Sequence, residues 1–267
     1  MTKGSVQITN AHYHADPAVN ASKLKTINSH GAWAYWNCFL NPERPERKPT
    51  PAMLLGTLTH SCILEPDLFA KQFTVVSSRN TKKGKEEAKE AEEKGMTAVT
   101  QSDMDLALNM RAAVFEDEEA KQLLKEGVAE KSWWKDDEKT GLTMKARSDF
   151  YTGEIIVDLK TSRSGASSKE FGKAVANFGY HLQNAHYLNV CDAKRFIFLV
   201  VQSEWPFDTA LYELDSQALQ EGQRLCRQGL DRIAECTMSD HWPHHSEQGG
   251  IQTLSLPRWA FSTPTNK

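Results

Sequence analysis

The chain has 267 residues, 39% of them hydrophobic, with 32 Lys and Arg against 35 Asp and Glu for a formal net charge of −3. This length and apolar content can bury one sizeable core, so a single α/β domain over 1–267 is expected. No apolar run approaches the roughly 18 residues of a membrane span and no leader pattern opens the chain, so neither membrane insertion nor export is expected. A slightly negative total does not exclude nucleic-acid binding, because localised basic residues decide that. The five cysteines (Cys38, Cys62, Cys191, Cys226 and Cys236) are odd in number and lack a Cys-x-x-Cys pair, which suits a reducing cytoplasm.

In chain order, Ser22 opens a short amphipathic helix through Ile27, followed by the aromatic cluster Trp33, Tyr35, Trp36 and Phe39, which reads as core. Four prolines between Pro42 and Pro51 mark an exposed connection. A helix begins near Pro51 and carries Gly56 one turn before His60, so the His60 side chain leans back over a position with no side chain. Arg79, Lys82, Lys83 and Lys85 form a basic segment, expected as a loop that grips phosphates, ahead of a helical run from Glu86 to Lys94. Thr100 and Asp103 have the spacing of a capping box for a helix running toward Lys125.

Glu130 precedes a strand at Ser132-Trp133-Trp134. Two alternating strands follow: Leu142 to Phe150, with Thr143, Lys145, Arg147 and Asp149 on one face, and Ile156 to Lys160, with Asp158 and Lys160 on one face. If Thr152-Gly153 are the two loop residues of a tight hairpin, Asp149 faces Ile156 and the two aspartates become diagonal neighbours roughly 7–8 Å apart. Beyond it, a helix from about Ser168 to Val190 places Gln183 and Tyr187 on one face. Arg195 to Val201 reads as a central strand, Ala210 to Leu214 as its neighbour and Ser216 to Cys236 as a long helix. The run His241-Trp242-Pro243-His244-His245 lacks the spacing of a zinc site.

The chemistry lies in the hairpin. Oxygen-rich carboxylate sites suit Mg²⁺ or Mn²⁺, which bridge to phosphate oxygens and generate a hydroxide nucleophile, and a lysine beside them can orient the attacking water. An isolated Asp-x-Lys is more often an ordinary strand-end ion pair, because the tripeptide is common, and the surrounding constellation is what argues for more.

The ordered set Gly-x-x-x-His, Asp, Asp-x-Lys and Gln-x-x-x-Tyr resembles the PD-(D/E)xK nuclease superfamily in its RecB-like branch. The flanking text is similar to the RecE (exonuclease VIII) nuclease-domain family from about Ile8 to Ala260: Leu55 to Pro66, Arg147-Ser148-Asp149, Val157 to Thr161 and Thr253 to Ala260. The resemblance implies a mixed, partly antiparallel sheet flanked by helices. It also implies a metal held by His60, Asp149, Asp158 and the backbone carbonyl of Leu159, with two ions per site. Lys160 would be the catalytic lysine, Gln183 and Tyr187 would line the site and contact DNA, and Glu130 would be an outer acid. Arg147 and the basic segment would touch the DNA backbone.

The activity implied is Mg²⁺-dependent 5′→3′ digestion of one strand from a linear duplex end, leaving 3′ tails for recombination. The implied partners are a RecT-type single-strand annealing protein and further copies of the chain in a ring, expected as a tetramer. Relative to that family the chain lacks a long N-terminal region and reads as a free-standing nuclease. It also lacks the four-cysteine set of the iron–sulfur relatives. Two other expectations stay open at this level: an endonuclease or single-strand nuclease of the same superfamily, and an inactive module that binds DNA ends.

Overall fold

The computed structural model describes residues 2–6, 8–45, 49–78 and 80–256. Its strands are β1 (Thr2–Val6), β2 (Phe73–Val76), β3 (Thr97–Thr100), β4 (Val128–Asp136), β5 (Thr143–Tyr151), β6 (Ile155–Ser162), β7 (Arg195–Gln202) and β8 (Thr209–Tyr212). The helices before the catalytic hairpin are α1 (Asn10–Ala15), α2 (Ala21–Phe39), α3 (Pro51–Leu64), α4 (Pro66–Gln72), α5 (Lys82–Glu93), α6 (Gln101–Glu116) and α7 (Glu118–Leu123). Those after it are α8 (Ser168–Asn177), α9 (Tyr180–Val190) and α10 (Ser216–Ser239).

The main sheet has the order β1-β4-β5-β6-β7-β8, antiparallel except for the β6–β7 pair, while β2 and β3 form a small parallel pair of their own. A parallel pair needs a crossover, and α8 and α9 supply it. Strand β7, and β6 apart from Asp158 and Lys160, present apolar residues to both sides because both faces are covered. Ile156, Phe196, Phe198 and Val200 pack with Leu24 of α2, Leu182 of α9 and Leu230 of α10. Val157, Leu159, Leu199 and Val201 pack on the other face with Ile63 of α3 and with Met110 and Val114 of α6.

Several expectations shift in detail. The helix expected from Ser168 to Val190 is two helices, because Gly179 adopts a left-handed conformation with φ 62° between α8 and α9. The short helix and aromatic cluster after Ser22 are one helix, α2, kinked at Gly31 with φ 84°. The Thr100/Asp103 capping box forms, although the helix it opens ends at Glu116 and a separate α7 follows.

The basic segment expected as a loop is the first turn of α5, where Lys82, Lys83 and Lys85 are exposed and Lys83 pairs with Glu87 at 3.7 Å. Thr81 caps that helix through Gly84, which explains why it starts earlier than its acidic run suggests. Arg79 lies outside the described residues.

The hairpin closes on the pair Tyr151↔Ile156, with Thr152 N–H donating to the Ile155 carbonyl at 3.0 Å. The loop is therefore longer than the two-residue turn expected, and the register moves by two residues. An even shift preserves which face each side chain takes. It brings Asp149 opposite Asp158 instead of diagonal to it.

Helix α9 is anchored to the sheet from inside. His186 is 1% exposed, and its Nε2 donates to the Lys145 carbonyl of β5 at 2.9 Å. Burial holds the imidazole down to about 4, against an ordinary value of 6.5, with the hydrogen bond to Lys145 opposing the shift. The unfolded chain takes up this proton near pH 6.5 and the folded chain only near pH 4. The stability involved is complete above pH 6.5 and is lost as the pH falls toward 4, up to about 3 kcal/mol. Urea unfolding at pH 7 and pH 4.5 checks this: the drop should be smaller in His186→Gln, whose amide can keep the bond to Lys145. An equal drop in both proteins would remove His186 as the cause.

Candidate active site

The site is built where β5 and β6 part. Their backbone ladder pairs Phe150↔Val157 and Tyr151↔Ile156. One residue further on, the Leu159 N–H donates to the Asp149 carboxylate at 2.9 Å instead of to a carbonyl. A side chain thus replaces the backbone partner and props the strands open beside the two acids. On the other side of β5, Ala129↔Phe150 and Lys131↔Ser148 put Glu130 opposite Asp149. Three acids therefore lie in a row across β4, β5 and β6.

Asp158 is 0% exposed. An ionised carboxylate survives there only if its oxygens are answered. The Gln183 amide donates to Oδ1 at 2.6 Å, and the Lys160 ammonium forms an ion pair with Oδ2. Burial raises the Asp158 carboxyl above the usual range, against the pull of Lys160, and Asp149 raises it further. For Lys160, burial acts to lower the ammonium but Asp158 and Asp149 outweigh it and hold it charged. The Lys160 ammonium also sits 4.9 Å from the centre of the Tyr180 ring.

On the opposite face, α3 presents His60, whose Nδ1 lies 3.5 Å from Asp149 Oδ2. The space over Gly56 is open, since a Cβ there would meet nothing within 4 Å. A cavity of about 600 Å³ adjoins this side, lined among others by Thr57, His60, Glu65, Glu130 and Arg147. Glu130 carries a left-handed backbone, φ 53°, uncommon for a residue with a side chain and a form of stored strain. Its carboxyl is pushed up to about 7 by burial and by Asp149, with Arg147 opposing and Glu65 adding to the rise.

Tyr187, one turn beyond Gln183, packs edge-on against Phe196. Its phenol is raised well above the ordinary value by burial, Tyr13, Asp158 and Asp149, so it senses both acids. Lys160, Asp158, Asp149, His60, Gln183, Tyr187 and Glu130 are thus brought to one place, with Leu159 between the aspartates' strands.

Arg147, expected on the DNA, lines the cavity but is 9% exposed, and all three of its nitrogens are engaged within the protein. Nε meets the Glu130 carboxylate at 3.0 Å, Nη1 donates to Asn10 at 3.2 Å, and Nη2 donates to the Ile8 carbonyl. Its neighbour on that face, Lys145, likewise donates to the carbonyls of Tyr13 and Asp16. Burial of this face under α1 and the segment around it makes both side chains tethers within the fold.

Three residues escaped the sequence reading. Lys25 of α2 donates to the Gln183 carbonyl oxygen at 3.4 Å and sits 5.2 Å from the Tyr180 ring centre. Burial and the nearby Lys160 lower its ammonium to about 8 while Asp158 opposes. A lone helical lysine gives no local signal. Tyr180 could have been found, since Tyr180, Gln183 and Tyr187 recur at helical spacing on one face. Glu65, at the end of α3 and one turn past His60, is close enough to raise Glu130.

Among the described residues, no three His, Cys, Asp or Glu side chains are assembled as a ready metal cage. The donors nevertheless suit a hard divalent ion. Two carboxylates, an imidazole and a carbonyl make an oxygen-rich set. Asp158 Oδ2 is buried and, apart from its ion pair, accepts no hydrogen bond, so it retains capacity for a cation.

An acid on one strand, Asp-x-Lys on the next, and a Gln-x-x-x-Tyr helix covering them define a PD-(D/E)xK nuclease arrangement. The chain belongs to the family described as a PDDEXK-like domain of unknown function (DUF3799), which matches residues 22–253. Nucleases of this class typically use divalent metal ions.

The fold is similar to a crystal structure described as that of a candidate exonuclease from Eubacterium rectale, with a TM-score of 0.63, 17% identity, and coverage of 94% of this chain and 97% of that one. A phage-related exonuclease from Haemophilus somnus 129PT gives a TM-score of 0.36 and 12% identity over 84% of this chain and 96% of that one. No curated protein matches the chain. Among the described residues no helix is long and apolar enough to cross a membrane.

The Arg147 network predicts a split between stability and binding. Arg147→Met should cost about 3 kcal/mol of folding free energy, because it leaves the Glu130 carboxylate and the Ile8 carbonyl without their partner. Duplex affinity, measured by fluorescence anisotropy below the unfolding transition, should change less than about twofold. Weaker DNA binding with unchanged stability would restore the phosphate role.

Proposed function

We propose that the protein is a metal-dependent exodeoxyribonuclease that digests one strand of linear double-stranded DNA in the 5′→3′ direction and leaves 3′ single-stranded tails. The observation that carries this reading is the buried Asp158 carboxylate, held between Gln183 and Lys160 directly across from Asp149, which is itself paired with His60. The RecE-like motif order supports the exonuclease direction and end preference, and the Eubacterium rectale neighbour supports the fold in which such chemistry occurs.

In this reading His60, Asp149, Asp158 and the Leu159 carbonyl hold Mg²⁺, or Mn²⁺ in its place, two ions per site, supplying Lewis-acid stabilisation of the phosphate and a lowered water pKa. Lys160, kept charged by Asp158 and Asp149, orients the attacking water by hydrogen bonding and offsets negative charge as it grows on the phosphate. Gln183 fixes the Asp158 carboxylate, so the ligand does not swing when Lys160 turns to the water. The Tyr187 phenol, kept protonated by burial, donates a hydrogen bond to the DNA strand. The exposed first turn of α5, with Lys82, Lys83 and Lys85, offers sequence-independent phosphate contacts, and Arg79, three residues earlier in the sequence, is assigned the same role. The cellular setting proposed is the cytoplasm. There, a homo-oligomeric ring of four copies encloses the duplex, and a RecT-type annealing protein receives the tail.

Two measurements test this. With Mg²⁺, 5′-end-labelled linear duplex should release label progressively while covalently closed circular DNA stays intact; cutting of the circle would favour an endonuclease. Lys160→Ala should lower the rate by about 100- to 10,000-fold. It should lower the thermal transition only partway and leave the chain folded, because Asp158, buried without its ion pair, keeps the Gln183 amide and can take up a proton. Near-normal digestion by this variant would remove Lys160 from the chemistry.

A further inference from the structure

The lysine of α2 has no place in the motif set, yet it reaches the centre of the site. Lys25 is half-buried, and among the described residues no carboxylate lies within ion-pairing distance of it. Its stem runs past the backbone of Gly179, where an added Cβ would lie 3.5 Å from Cγ and Cδ. Its ammonium shares the Tyr180 ring with Lys160, at 5.2 and 4.9 Å from the ring centre. The hydrogen bond it makes is to Gln183 Oε1, at 3.4 Å.

That bond has a consequence for the amide. Ammonium groups only donate and carboxylates only accept. A glutamine set between Lys25 and Asp158 has one orientation that satisfies both ends, with Oε1 toward the lysine and Nε2 toward the acid. Rotating the amide by half a turn would press its NH₂ against the ammonium and its oxygen against the carboxylate. Without Lys25 the two orientations would differ only by the Asp158 end, and solvent could take the other.

We propose that Lys25 is a positioning residue for the reaction: acting through Gln183, it locks the amide that holds Asp158, and so sets the carboxylate that the chemistry requires. The proposal rests on the nuclease reading above for its catalytic consequence, but the link between Lys25 and the Gln183 amide stands apart from any activity. Helix α2 thereby becomes part of the active site even though it carries none of the motif residues.

The experiment combines Lys25→Met, Lys25→Arg, Gln183→Leu and the Lys25→Met/Gln183→Leu double variant in the full chain. Lys25→Met should lower kcat on linear duplex with Mg²⁺ by about 10- to 100-fold, the usual effect of removing an outer partner of a ligand. KM should stay within about twofold and Lys25→Arg should recover most of the loss, because it restores a donor to Oε1. In the Gln183→Leu background, adding Lys25→Met should change kcat by less than about twofold, since the path is already cut.

A separate readout is the side-chain amide pair in a ¹⁵N correlation spectrum, assigned by its loss in Gln183→Leu. It should move in Lys25→Met and return toward its original position in Lys25→Arg. An unmoved amide pair would overturn the link. A rise in KM alone, or full additivity in the double variant, would make Lys25 a direct DNA contact and overturn the positioning role. Wild-type protein without nuclease activity, but with the amide shift present, would sink the nuclease reading and leave the Lys25–Gln183 link standing.

Discussion

The carboxylate of Asp158 has no access to solvent, and much of the architecture can be understood from how its charge is kept. Desolvation of one anion costs several kcal/mol unless it is paired and hydrogen-bonded. Here the answer comes from two directions: Lys160, two residues along the same strand, and Gln183, from the helix that crosses above. Because Gln183 must arrive within hydrogen-bonding reach of Asp158, the placement of β6 beside β5 and the seating of α9 on β5 cannot drift independently. His186, donating to the Lys145 carbonyl, pins α9 where Gln183 can reach.

Asp149 is answered differently. It takes a backbone N–H from Leu159 and lies beside His60, so it is both structural and exposed to chemistry. The opening between β5 and β6 is thereby maintained by the very group that the site needs. Glu130, strained and pushed toward protonation, completes the row on β4, with Arg147 holding it from beneath. Strain and raised carboxyl groups gathered in one cleft, in a fold otherwise well packed, are the signature of a place selected for reactivity and not for stability.

Much of this was legible in the chain. Alternation on β5 and β6, the apolar run of β7, the Thr100/Asp103 cap and the order of the four motifs follow from local periodicity and short spacings, which sequence records directly. What was not legible depended on distant partners. The hairpin register moved by two residues because the turn took a longer form. Gly179 divided one expected helix into two. Lys82, Lys83 and Lys85 joined a helix because Thr81 caps it. Arg147 alternates with Asp149 and reads as a DNA contact, but its nitrogens are taken up by Glu130, Asn10 and Ile8.

By itself, the sequence determined the kinds of chemistry available: two aspartates and a lysine in strand spacing, a histidine one turn from a glycine, and an amide and a phenol one turn apart. Those depend on residue type and local period, which the backbone geometry of strands and helices enforces. Only the tertiary structure decided which charges are spent on the fold and which are left for a substrate. It committed Arg147 to Glu130 and Ile8, and it brought Lys25 from the second helix to the Gln183 amide. Burial and pairing between residues more than a hundred positions apart carry no periodic trace, because they are fixed by how layers pack and not by how neighbours alternate.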